Sequence, residues 1–178
     1  MKVFLIGYMG SGKSTVGKRL VEKLSRRDET NFDFIDFDKL IEKETGKTIT
    51  EIFDSDGEEK FRLLEHEYLK KLLNKENAVI SLGGGTPCFH NNIQVINNNG
   101  ISVYLEMSSD SLINRLSKAK NKRPLIRDLN EVDLKSFIEA NLEKRKPVYQ
   151  KANHIIQSDQ LSTDVIIEKI MKVIKKEK

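Results

Sequence analysis

A chain of 178 residues, 38% hydrophobic and 33% charged, has enough Ile, Leu, Val and Phe for one domain and too little length to promise two. The net charge of +4, from 31 Lys and Arg against 27 Asp and Glu, suits small anionic ligands and gives no argument for nucleic acid; part of it is a Lys-rich end (Lys172, Lys175, Lys176, Lys178) opposing the dipole of a last helix. Cys88 is the only cysteine, which excludes an intramolecular disulfide, no apolar run approaches the length of a membrane span, and a cytoplasmic protein, monomeric by default, is expected.

Residues 3–6 (VFLI) read as a short strand, and Val16, Leu20, Val21 and Leu24 recur at helical spacing. Between them, GYMGSGKST (residues 7–15) fits G-x-x-x-x-G-K-[ST] at Gly7, Gly12, Lys13 and Ser14. Strand, loop and helix are the context this motif requires. Its glycines let successive N–H groups face oxygen anions, Lys13 reaches terminal phosphates, Ser14 offers a hydroxyl to Mg²⁺, and the helix points the positive end of its dipole at the phosphates.

Residues 25–31 (SRRDETN) are read as a polar connection, and residues 32–38 (FDFIDFD) as a second strand. Residues 39–45 form a short helix stopped by Gly46, residues 50–56 a further turn before Gly57, and residues 58–73 a helix with Phe61, Leu64, Tyr68, Leu69 and Leu72 inward. Residues 78–82 (AVISL) make a buried strand running into Gly83, Gly84 and Gly85. Asn98, Asn99 and Gly100 turn into a strand at residues 101–105, and Ser108, Ser109 or Asp110 caps a helix with Leu112, Ile113 and Leu116. Residues 118–130 are basic, hold Pro124 and lack an apolar stripe, so they read as a long loop and a candidate lid. Asp133 caps the next helix, residues 154–157 (HIIQ) form a last strand, and a final helix starts near Asp164. This alternation gives an α/β fold, a parallel sheet with helices on both faces.

Asp36 and Asp38, two apart at a strand end, place both carboxylates on one side, beside the phosphate loop: one for Mg²⁺ through water, one to accept a proton from an attacking hydroxyl. Away from such a loop they would be solvated acids. Arg62 and Glu65, three apart on a helix, are either a surface pair or an arginine steered toward a ligand, and Arg145, before Pro147 and Tyr149, is by default a helix-end arginine. Three glycines at the end of a strand exceed what a turn needs and offer bare backbone to a substrate. Arg123 and Arg127 in the lid could reach a transferring phosphoryl group. His66, His90 and His154 lack metal-ligand spacing. The guanine-reading N-K-x-D is missing, and no strand other than the one carrying Asp36 and Asp38 ends in the Asp of a Walker B, which disfavours a switch or motor. Arginines and a glycine platform opposite a carboxylate base fit a kinase for a compact, hydroxylated, anionic acceptor.

On GYMGSGKST, the DFD at 36–38, GEEKFRLLE at 57–65, the GGG at 83–85, RPL at 123–125 and RKPVY at 145–149, the chain resembles the shikimate kinases over nearly its whole length. The resemblance implies one P-loop domain over residues 1–178, nucleoside-monophosphate-kinase-like, with five parallel strands in the order 2-3-1-4-5. It also implies an acceptor-binding helical segment at residues 39–73, the lid at 118–130, and MgATP-dependent phosphorylation of the 3-hydroxyl of shikimate. Gly10, Ser11, Gly12, Lys13, Ser14 and Thr15 would bind ATP phosphates, Ser14 would hold Mg²⁺ directly and Asp36 through water. Asp38, Arg62, Gly84 with its neighbours Gly83 and Gly85, and Arg145 would hold shikimate. Asp38 would orient or deprotonate its hydroxyl, Arg123 would swing in with the lid, and Gln160 would lie near adenine. Three departures stand out: the longer connection at 25–31, Leu82 where Thr is common before the triple glycine, and competition between Arg115 and Lys118 for the adenine face. Another small-molecule P-loop kinase, of gluconate or nucleotide type, and an inactive nucleotide-binding module are the alternatives.

Overall fold

The computed structural model describes residues 1–118 and 126–177. Its strands are β1 (Lys2–Ile6), β2 (Asp33–Asp36), β3 (Ala78–Ser81), β4 (Ile101–Glu106) and β5 (His154–Gln157), all parallel in the order β2-β3-β1-β4-β5, as expected. The helices are α1 (Lys13–Asp28), α2 (Phe37–Thr45), α3 (Ile49–Leu72), α4 (Asn92–Asn99), α5 (Ser109–Lys118), α6 (Glu131–Tyr149) and α7 (Thr163–Lys176).

Alternation along β1 splits the core in two. Val3 and Leu5 join Val79, Val103 and Ile156 under α1 and α7, whose Leu20, Leu24, Ile167 and Ile170 are buried. Phe4 and Ile6 face the other way, joining Ile80 and Tyr104 beneath α2 to α6. Both faces of the parallel sheet are therefore dry, and the strands read as nearly continuous apolar runs for that reason.

Several expected boundaries move. The polar stretch at 25–31 is mostly helix: α1 runs on to Asp28, with Arg26 and Arg27 complementing its carboxyl end and Glu29 turning out in the left-handed conformation. The second strand stops at Asp36, because that side chain caps α2 by accepting from the Lys39 N–H at 3.5 Å; Phe37 and Asp38 thus belong to a helix. The helical pieces on either side of Gly57 join into α3, kinked there at φ 80°, ψ 170°. Asn98 and Asn99 close α4, a helix missed because its asparagine-rich sequence mimics a turn. Asn130, not Asp133, caps α6: its Oδ1 accepts from the Asp133 N–H at 2.8 Å. Ile126, within the stretch read as a lid lacking an apolar stripe, is fully buried.

Gly17 shows how closely α1 lies on the sheet. An added Cβ would stand 2.5 Å from Phe34 Cε2 and 3.2 Å from Leu5 Cδ1. In a free helix Gly→Ala is favourable by about 1 kcal/mol, whereas overpacking costs about 1–3 kcal/mol. Gly17→Ala is therefore expected to lower stability in denaturant titration; a more stable variant would show that α1 can lift away freely.

Candidate active site

The phosphate loop leaves β1 at Gly7 and enters α1 at Lys13. Gly10 and Gly12 take φ of 84° and 92°, the left-handed region that a side chain disfavours, so the loop can curl back on itself. Gly12 caps α1 with no side-chain hydrogen bond, and the first turn of α1 carries no acid, leaving its N–H groups and positive dipole end for an anion. Lys13, nearly buried, donates through Nζ to the carbonyls of Gly7 (2.8 Å) and Tyr8 (2.9 Å), which hold its ammonium inside the curve of the loop. Ser11 Oγ is buried without a hydrogen-bond partner among the described residues, a polar atom the loop does not itself satisfy. Thr15 is exposed in the first turn of α1. Arg115 reaches the same loop, donating to Gly10 O at 3.4 Å, so of the two basic candidates for the nucleotide's flank this one contacts the phosphate loop.

Ser14 Oγ donates to Asp36 Oδ2 at 2.9 Å and lies 3.3 Å from Ser81 Oγ at the end of β3. A hydroxyl and a carboxylate converging at the phosphate loop are hard oxygen donors of the kind Mg²⁺ takes while keeping several waters, so these residues fit that ion. Ser81 went unremarked in the sequence because an apolar run conceals which strand position ends at the cleft.

Asp38 does not sit with Asp36 on a strand, as the period of two suggested. It lies in the first turn of α2, and the two still meet the same cleft: Asp36 faces Ser14, while Asp38 Oδ1 lies 2.6 Å from where a Cβ on Gly83 would be. Solvent reaches Asp38 through the cleft mouth, yet protein surrounds it on most sides, and loss of hydration followed by the charge of Glu65 pushes its carboxyl up to about 6, against the pull of Lys13.

The Arg62 and Glu65 pair is not on the surface. Arg62 is 7% exposed and Glu65 1%, with Arg62 Nη1 on Glu65 Oε2 at 2.7 Å and Nη2 on Glu58 Oε1 at 2.8 Å. Burial works to lower the Arg62 value, but Glu65 and Glu58 outweigh it and hold the group above its ordinary range. Burial raises Glu65, opposed by Arg62, by a short hydrogen bond from the Thr86 hydroxyl and by Arg145. The guanidinium is boxed by the rings of Phe53, Phe61 and Phe89, the last at 4.4 Å. Arg145, in the last turns of α6, lies 5.5 Å over the Tyr8 ring, with Nη1 3.3 Å from the Cβ position of Gly84. Tyr149, one turn on, donates a short hydrogen bond to Gly84 O.

Each platform glycine therefore has its own reason. Gly83 makes room for Asp38, Gly84 for Arg145, and Gly85 for Arg62, whose Cζ would be 2.7 Å from an added Cβ. Leu82, before them, is buried in the core. Gln160 is exposed in the loop after β5 with φ 57°, next to Asp159, which ties that loop to Ser108. Arg123 and most of the candidate lid lie outside the described residues; Arg127 is exposed. Cys88 is half-buried, and burial pushes its thiol up to about 11, so it is uncharged at neutral pH.

The family model for shikimate kinase matches residues 9–175. A shikimate kinase of Azobacteroides pseudotrichonymphae genomovar. CFP2 is 44% identical over 171 residues, covering 96% of this chain and 97% of its own. The crystal structure of shikimate kinase from Bacteroides thetaiotaomicron superposes with TM-score 0.91 at 37% identity, covering 98% of each chain. That of Acinetobacter baumannii shikimate kinase, in complex with shikimate, gives TM-score 0.86 at 32% identity, over 99% of this chain and 94% of that one.

Gly85 has ordinary backbone angles, so Gly85→Ala tests the packing of Arg62 and not strain. The new methyl would drive Arg62 from its carboxylates and leave Glu65 buried without its cation. A loss of about 1–3 kcal/mol in stability is expected, with ATP affinity by calorimetry unchanged. Unaltered stability would mean that Arg62 is free to swing aside.

Proposed function

The chain belongs to the shikimate kinase family, and on that premise we propose that its cleft transfers the γ-phosphoryl group of ATP to the 3-hydroxyl of shikimate, giving shikimate 3-phosphate and ADP. The fold is that of a P-loop NTPase with five parallel strands in the order 2-3-1-4-5. The observation that carries the reading is a juxtaposition: a cationic phosphate loop on one side, two arginines on a glycine platform on the other, and Asp38 under the influence of both Lys13 and Glu65.

The residues divide the work as follows. The N–H groups from Gly10 to Thr15 and the start of α1 cradle the phosphates, and Lys13 neutralises charge at the transferring end. Ser14 and Asp36, the latter through water, would hold Mg²⁺, which when bound supplies positive charge to the β- and γ-phosphates. Arg62 and Arg145 clamp the shikimate carboxylate, and the platform from Gly83 to Gly85 lets the ring approach backbone. The 3-hydroxyl oxygen attacks the γ-phosphorus, the bond to the bridging oxygen of ADP breaks, and Asp38 accepts the hydroxyl proton. Arg123, assigned through its match to the family motif, would add charge neutralisation as the lid closes, and Gln160 would flank adenine. Rate enhancement comes from positioning and charge neutralisation. We read the protein as one domain, a cytoplasmic monomer acting on a small molecule. No helix among the described residues is long and apolar enough to cross a membrane.

ADP release from MgATP is expected to require shikimate, and Asp38→Asn to lower kcat by about 10²–10⁴ while ATP still binds. Release without shikimate, or full activity in the variant, would remove this assignment.

The pH dependence has two opposite limbs. Asp38 must be ionised to take a proton, so kcat/KM for shikimate is expected to fall about tenfold per unit below a midpoint near 6. Stability responds in the other direction. The folded carboxyl keeps its proton up to about 6 and the unfolded one loses it near ~3.9, so the folded state binds more protons in that window. The cost of charging Asp38 in the fold is present above the window and disappears as pH falls through it. A kinetic midpoint near 4 would show that the cleft hydrates Asp38 fully.

A further inference from the structure

Arg62 can grip an acceptor carboxylate only while its guanidinium is held at a fixed attitude. Its ionic partners Glu58 and Glu65 lie on its own helix, and Glu65 in turn depends on a different segment. Thr86, fully buried, opens the short 3-10 turn that follows the glycine platform, and its hydroxyl proton goes to Glu65 Oε1. Since Glu65 Oε2 accepts from Arg62, both oxygens of this buried carboxylate are committed, one to the clamp and one to Thr86.

Thr86 is itself held. Asn92, fully buried at the start of α4, donates through Nδ2 to Thr86 O at 2.8 Å. Its Oδ1 lies 2.7 Å from His66 Nδ1; with Nδ2 engaged as a donor, Oδ1 is the acceptor and His66 carries its proton on Nδ1. His66 follows Glu65 on α3, so the segment from Thr86 to Asn92 grips two successive residues of the helix that bears Arg62. Between these grips, Phe89 packs on the guanidinium. The Thr86 hydroxyl and Asp38 also meet at one backbone position, standing 2.9 Å and 2.6 Å from the Cβ site of Gly83.

We propose that Thr86 is a positioning residue for acceptor recognition: acting through Glu65 it fixes the guanidinium of Arg62 where it binds the acceptor carboxylate, and Asn92 with His66 keeps Thr86 in register. This rests on the reading of Arg62 as part of the carboxylate clamp. Without the hydroxyl, Glu65 Oε1 is a buried acceptor lacking its donor; the carboxylate turns to recover a partner, and Arg62 follows it. Thr86 is fully buried with its hydroxyl committed to Glu65, so its effect falls on acceptor affinity and not on the chemical step.

The test is steady-state kinetics with shikimate and MgATP. Thr86→Val, similar in shape but without a hydroxyl, is expected to raise the shikimate KM about tenfold, equivalent to about 1.4 kcal/mol, with kcat within about twofold and the ATP KM unchanged. Thr86→Ser is expected to restore the KM. In a Glu65→Gln background the further effect of Thr86→Val should shrink well below tenfold, because the two act through one contact. An unchanged KM in Thr86→Val, failure of Ser to restore it, or an equal effect in both backgrounds would overturn the inference. Should Thr86→Val not fold, Thr86→Ala is held to the same outcomes. Arg62→Ala is measured alongside. A raised KM there with a wild-type KM in Thr86→Val removes only the role of Thr86, whereas an unchanged KM in Arg62→Ala removes the acceptor reading and this inference with it.

Discussion

The site depends on the parallel pairing of β1 with β3. Leu5 stands opposite Ser81 and accepts through its carbonyl from the Leu82 N–H at 3.1 Å, so the two chains leave the sheet at the same level. One continues as the phosphate loop and the other as the glycine platform. They run so close that a Cβ on Gly84 would lie 3.5 Å from Met9 N and 3.7 Å from Gly7 O. On the far side of β3, the register of Asp36 with Ser81 sets the Asp36 carboxylate beside Ser14. The phosphate loop, the Ser14 and Asp36 pair and the glycine platform thus issue from three neighbouring strand ends, at the carboxyl edge where an open parallel sheet has its crevice. Apolar packing on both faces makes that registry specific, since slipping one strand by a residue would exchange the side chains fitted to the two cores.

Buried charge sets the second constraint. Taking Arg62 and Glu65 out of water is costly, and it is offset only because each has directional partners: Glu58 and Glu65 for the arginine, Arg62 and Thr86 for the acid. Such a pair is poor evidence for stability but good evidence for a fixed geometry. In the proposed reading an acceptor carboxylate would meet a guanidinium already ordered and largely stripped of water, so less side-chain entropy would be lost on binding than with a solvent-exposed arginine. Arg145 faces the same neighbourhood from another helix, and its charge is felt by both Glu65 and Cys88.

Much of this arrangement was legible from local pattern. The phosphate loop declares itself because Gly12, Lys13 and Ser14 are required by backbone conformation and charge, and strand order followed from a resemblance carried by several motifs. What local pattern conveyed less well were competitions decided by a single side chain. FDFIDFD has strand composition throughout, yet Asp36 caps a helix and takes Phe37 and Asp38 with it, so the two carboxylates share the cleft for a different reason than strand periodicity. The asparagines of α4 resemble a turn until Ile93 and Ile96 are seen to bury against the core. Thr86 and Asn92 carry no signal at all, because their partners lie six or more residues away and their role exists only once α3 and the platform are packed together.

The two halves of the cleft are joined by more than the sheet. Tyr8, the second residue of the phosphate loop, is buried and lies beneath Arg145, while Tyr149, from the same helix end as Arg145, bonds the middle peptide of the glycine platform. A cation over an aromatic face is worth about 0.5–2 kcal/mol, more as water is excluded, and burial here is nearly complete on the Tyr8 side. The phosphate loop is therefore also part of the floor beneath Arg145. Tyr8 thus touches Arg145 directly, and the same helix end holds Gly84 through Tyr149. One connected group of side chains thus joins the two halves of the cleft, which is what an in-line transfer between two bound molecules needs when proximity and orientation supply most of the rate.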